Sequence, residues 1–133
     1  MDAQELGQIP LFSDLSEEDI AALATYADEV TVSEGKHLVD EGGYAYDLFA
    51  IVEGKAQVIM GGEVVAELGP GDFFGEAGVI EKQQRNATVV AKTRMRLVTL
   101  TGWDLRRMRR QLGPVMDKLE QAIEQRRAPV GDS

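Results

Sequence analysis

The chain has 133 residues, 44% of them hydrophobic and 28% charged, with no cysteine and a formal net charge of −9. That length supports a core without staples, the composition is that of an ordinary globular protein, and disulfide or thiolate chemistry is excluded. Residues 1–102 hold seven Lys/Arg against eighteen Asp/Glu, whereas 103–133 hold seven against five. So acidic a body repels nucleic acid, whose non-specific binding depends on neutralising phosphates.

The start, Met1-Asp2-Ala3-Gln4-Glu5, has neither the basic residues nor the apolar run of a signal peptide. No apolar stretch reaches the roughly 20 residues that span a bilayer. Both features lead to the expectation of a cytoplasmic protein with no membrane partner.

Residues 1–15 carry an apolar patch, Ile9-Pro10-Leu11-Phe12. Ser16 is then a candidate N-cap, with Glu17, Glu18 and Asp19 favourably placed in the first turn. Ile20, Leu23, Ala24 and Ala27 recur at helical spacing, which predicts a helix over 16–27.

From Val30 to Thr99 the period changes to two. Val30/Val32, Leu38, Leu48/Ala50/Val52, Ala56/Val58/Met60 and Val64/Ala66/Leu68 mark short strands. Glycines at 35, 42–43, 54, 61–62, 69 and 71 separate them, and Gly61-Gly62 signals a two-residue hairpin. Many short strands at such intervals predict a closed antiparallel roll. Residues 87–91 and 94–100 read as the last two strands.

Helical spacing returns at 101–112, with Thr101 as N-cap and Trp103, Leu105, Met108 and Leu112 on one broad apolar face. On this reading Trp103 belongs to the core. Gly113-Pro114 separates this helix from another, whose apolar stripe is Val115, Met116, Leu119, Ala122 and Ile123. Residues 128–133 read as a loose tail. Arg106, Arg107, Arg109 and Arg110 read as a solvated helix face, with a docking patch for an acidic partner as the alternative.

The stretch most suggestive of chemistry is 74–88, Phe-Gly-Glu-Ala-Gly-Val-Ile-Glu-Lys-Gln-Gln-Arg-Asn-Ala-Thr. Gly75 and Gly78 allow close backbone approach, and successive amides can form a nest for an anion. Arg85 is a planar, permanently charged fork suited to phosphate oxygens, and Glu76 can accept from a sugar hydroxyl. An ion pair between the two would be the ordinary structural alternative. Acceptor and fork together describe a nucleotide pocket.

This stretch resembles the phosphate-binding cassette of cyclic nucleotide-binding domains. Phe74-Gly75-Glu76 stands intact, and so does Arg85-Asn86-Ala87-Thr88 at the family's interval. Gly78 replaces the usual alanine and Gln84 the usual proline, neither of which removes a ligand-contacting group. Residues 10–24, Pro-Leu-Phe through Leu-Ser to Leu-Ala, resemble the family's leading helix.

The resemblance implies an α+β, mainly β protein: an antiparallel β-roll or jelly roll (a double-stranded β-helix) with an N-terminal helix and two C-terminal helices. It implies one cyclic nucleotide-binding domain over 1–133, with a helical lead-in at 1–28, the roll at 29–100 and terminal helices at 101–127. The expected ligand contacts are Gly75, Glu76, Ala77, Gly78, Arg85, Asn86 and Ala87. Glu76 would take the ribose 2′-hydroxyl and Arg85 the cyclic phosphate, aided by amides of Gly78, Asn86 and Ala87. Met116, Leu119 and Ile123 are candidates for a lid over the base, with core or dimer packing as the alternative.

No cofactor or metal is expected; the ligand is cAMP, with cGMP as the alternative because Asn86 offers a polar side chain at a base-selective position. The implied role is a sensor without chemistry of its own, acting through a homodimer or a separate effector protein. Two rivals are a ligand-free β-roll serving as an interaction module, and a cupin-type enzyme. The latter would need clustered metal ligands, and the chain has a single histidine, His37, and no cysteine.

Overall fold

The computed structural model describes residues 1–42, 47–75 and 87–126. Local hydrogen bonds explain how the helices begin. Asp2 caps α1 (Ala3–Leu6) by accepting from the Glu5 amide at 2.8 Å. A 3-10 turn follows at Pro10–Phe12, then α2 at Glu17–Ala24, where the Ser16 hydroxyl accepts from the Asp19 amide. The helix ends earlier than its periodicity predicts, with Thr25 as C-cap and Ala27 beyond it.

Among the described residues eight strands form two four-stranded antiparallel sheets. The strands are β1 (Asp28–Val32), β2 (His37–Val39), β3 (Leu48–Glu53), β4 (Ala56–Met60), β5 (Glu63–Leu68), β6 (Phe73–Phe74), β7 (Thr88–Ala91) and β8 (Met95–Leu100). One sheet runs β1-β8-β3-β6 and the other β2-β7-β4-β5, so neighbours in the sheet are distant in sequence. This is the antiparallel β-roll the sequence leads one to expect.

The Gly61-Gly62 hairpin joins β4 to β5, with Met60 opposite Glu63. Both glycines have positive φ, 57° and 83°, the pairing that matches the right-handed strand twist. Gly54 turns β3 into β4 at φ 93°.

Strand alternation divides the core in two. Leu48 and Ala50 of β3 and Val98 and Leu100 of β8 face the helices, among them Phe12 and Leu23. On the opposite face Ile51, Met95 and Leu97 enter the roll and meet Ala56, Val58, Leu68, Val89 and Ala91. Strands β3 and β8 are therefore buried on both sides, while β1 at the edge of their sheet stays exposed. Helices α3 (Gly102–Gln111) and α4 (Gly113–Arg126) close the helical layer.

Thr101 caps α3 in a full capping box with Asp104, and the Gly102 amide donates to Asp47 Oδ1 at 3.0 Å. Trp103 departs from expectation: it is 70% exposed rather than in the core. At 3.6 residues per turn it lies roughly 200° round the helix from Leu105 and about 140° from Met108. Those two are buried, so Trp103 must point outward.

Candidate nucleotide-binding site

The approach to the 74–88 stretch is held by a compact turn. Asp72 Oδ2 accepts from the Gly69 amide at 2.8 Å. Gly71, at φ 93°, donates to the Ile51 carbonyl, and the Ile51 amide donates to the Asp72 carbonyl. That exchange seats β6 against β3, where Phe49 and Phe74 stack with centroids 4.9 Å apart. Gly75 follows at φ 87°, a backbone conformation that a side chain would strain. The chain leaves β6 in one sheet and returns at Ala87, which is buried in the roll immediately before β7 of the other.

Of the expected ligand contacts, Gly75 and Ala87 are thus placed at the two ends of the stretch. Glu76, Ala77, Gly78, Arg85 and Asn86 lie outside the described residues, as does the 128–133 tail. Thr88, last in the motif, accepts from the Glu41 amide at 2.9 Å, while Glu41 Oε1 accepts from the Gly61 amide at 3.1 Å. These two bonds link the end of β2, the start of β7 and the hairpin.

The lid candidates Met116, Leu119 and Ile123 are no more than 2% exposed and pack in the helical cluster, not in the roll. Lys118 of the same helix donates to Asp19 of α2 at 2.7 Å.

Two features escaped the sequence reading. Thr99 shares the roll-facing side of β8 with Met95 and Leu97, and its buried hydroxyl has no hydrogen-bond partner among the described residues. The Phe49–Phe74 stack pairs residues whose contact depends on β3 meeting β6. Nothing local announces either, because each depends on strand register.

Charge elsewhere is arranged to hold strands together. Arg96 of β8 bonds Glu29 of β1 and, at 2.6 Å, Glu53 of β3; the Glu29 carboxylate first and Glu53 second raise its pKa. On the other sheet Glu67 bonds Lys92 at 2.8 Å, which lowers its pKa, with Lys55 3.4 Å away. His37, in β2 as expected, is exposed and sits 2.9 Å from Asp40. Among the described residues no group of three or more His, Cys, Asp or Glu could hold a metal ion, and no helix is long and apolar enough to cross a membrane. An open hollow of about 530 Å³ lies along α4, lined by Asp117, Glu120, Gln121, Glu124 and Gln125. Its three carboxylates disfavour an anionic ligand.

With this geometry in view, comparison with known proteins is informative. A cAMP-dependent protein kinase regulatory subunit from Yarrowia lipolytica is 40% identical over 119 residues, covering 87% of this chain and 31% of that protein. The chain thus spans about a third of the length of this curated relative. Among solved structures, the N-terminal domain of a transcriptional regulator from Streptomyces coelicolor A3(2) is 28% identical with a TM-score of 0.77, covering 97% of this chain and 96% of the other. The regulatory subunit of a cAMP-independent protein kinase A from Trypanosoma brucei is 29% identical with a TM-score of 0.76, covering 91% of this chain and 44% of the other. The sequence model of the cyclic nucleotide-binding domain matches residues 29–111, more than half of the chain, and this protein belongs to that family.

Proposed function

We propose that this chain is a cAMP sensor module. The observation that carries the reading is the intact pair Glu76 and Arg85, in a stretch that starts from β6 of one sheet and ends at β7 of the other. The 40% identity to a cAMP-dependent regulatory subunit supports it. In this reading the Arg85 guanidinium grips the cyclic phosphate bidentately, and Glu76 accepts the ribose 2′-hydroxyl. Amides of Gly78, Asn86 and Ala87 complete the cradle, and Gly75 and Ala77 admit the ligand close to the backbone. The ligand's single charge is drawn by these local donors, since the body of the protein is acidic.

Signalling then requires that the ligand prefer one arrangement of α3 and α4 over another. Met116, Leu119 and Ile123 would have to leave the helical cluster to cover a base in the roll. Each such side chain loses about 1.5–3 kcal/mol of burial unless it is covered again. Output would pass to a second copy or an effector protein. A cytoplasmic location and the lack of any catalytic step belong to the same reading, and cGMP is its alternative ligand.

A ligand-free interaction module is the second reading; the likeness to the regulatory subunit of a cAMP-independent protein kinase A supports independence from cAMP, not the absence of a ligand. Calorimetric titration with cAMP and cGMP, on wild type and Arg85→Ala, separates the two. Saturable heat in the wild type, abolished in the variant, supports the sensor. Equal heats from both proteins, or none from either, would remove it.

A further inference from the structure

We propose that the outer face of α3 is a docking surface for a short acidic protein segment. The proposal is independent of whether the nucleotide site is filled. Trp103 and Arg106 are one helical turn apart and Arg110 is one turn further, so the three form a single stripe. All are exposed, Trp103 at 70%. The Arg106 guanidinium lies over the indole, 5.0 Å from its centroid, so cation and ring already present a joint surface.

The charges on α3 are not neutralised from within. Four arginines stand against one acid, Asp104, which is occupied in the capping box. Arg109 is taken by Asp117 and Glu120 of α4, and Arg107 lies over the Tyr26 ring. Arg106 and Arg110 have no carboxylate partner among the described residues. An exposed tryptophan beside arginines has the composition of an interface hot spot, and its solvated state leaves apolar area uncovered.

Charge complementarity fixes the partner's sign, and the rest of the molecule fixes its size. Residues 1–102 carry eighteen acids against seven bases. An extended polyanion or a broad anionic membrane would press against that body as well as the helix. With a Debye length of about 8 Å at physiological salt, a short segment can sense the arginines and escape the remainder. Two carboxylates matched to the two guanidiniums, with an apolar side chain on the indole, satisfy the whole stripe.

The test uses a fluorescein-labelled oligoglutamate peptide with a central leucine, titrated with the full chain at physiological ionic strength, about 0.15 M, and followed by anisotropy. Trp103, the lone tryptophan, reports the location through its emission. We expect saturable binding, a shifted Trp103 emission, and weakening with added salt. Affinity should drop by about tenfold or more in Arg106→Glu/Arg110→Glu. Arg106→Gln/Arg110→Gln, checked by melting temperature, serves if the double reversal fails to fold. Absence of saturable binding, or binding unchanged in a folded variant, would overturn the proposal. So would equal or tighter binding of a single-stranded oligonucleotide or phosphatidylserine vesicles.

Discussion

Lys118 of α4 and Asp19 of α2, 99 positions apart, meet at 2.7 Å and tie the last described helix to the N-terminal helical layer. The Lys118 hydrogen bond, joined by that of Ser16, holds the Asp19 carboxyl below its ordinary pKa. A depressed folded pKa means stability that is present above the ordinary value and lost as pH falls through the folded one. Wild type should therefore melt above Asp19→Asn at neutral pH, and the gap should close below about pH 4. Melting curves across pH check this; a gap of equal size at pH 3 and pH 7 would refute it.

A side chain at Gly54 is strained both by its backbone conformation and by its neighbours. An added Cβ would lie 2.4 Å from the Arg94 carbonyl oxygen and 2.9 Å from the Met95 Cα, at a φ of 93°. Both obstacles are backbone, so neither yields by a side-chain rotation. Strain and overpacking together predict that Gly54→Ala costs about 2–4 kcal/mol, measured by urea unfolding. A loss under about 0.5 kcal/mol, the usual size for an innocuous surface change, would contradict the geometry.

Thr99 offers the opposite case. Its hydroxyl is buried in the roll without a partner among the described residues, whereas valine has nearly the same shape and no polar atom. Thr99→Val should stabilise the protein by about 1 kcal/mol, as a rise in the urea midpoint with unchanged slope. Destabilisation would mean that the hydroxyl is satisfied in solution.

For the nucleotide site, cAMP at 100 times its Kd should add ~2.7 kcal/mol to unfolding stability. Truncating a buried charge partner typically costs ~2–5 kcal/mol, so Arg85→Ala should lose well over tenfold in affinity. Thermal shift with and without cAMP reads both effects. A variant with an undiminished shift would remove Arg85 from the site.

What the sequence determined by itself was local. Ser16 and Thr101 cap their helices because a short side chain reaches an amide three residues on. Gly61-Gly62 makes the hairpin because both positions need positive φ, which glycine takes without strain. The period-two stretches gave the strands, and the Phe74–Glu76 and Arg85–Thr88 motifs gave the family that residues 29–111 match.

Only the tertiary structure decided which surfaces those elements cover. β3 sends Leu48 and Ala50 to the helices and Ile51 into the roll, because β8 and β6 flank it and apolar layers lie on both sides. Met116, Leu119 and Ile123 read equally as lid or core, and the turn at Pro10–Phe12 is among the neighbours that fill their side of α4. Trp103 belongs between the two: helical angle already set it opposite Leu105, but only packing showed that it stays 70% exposed with the Arg106 guanidinium over its ring. Caps and turns are closed by bonds within a few residues, whereas burial depends on partners distant in the chain.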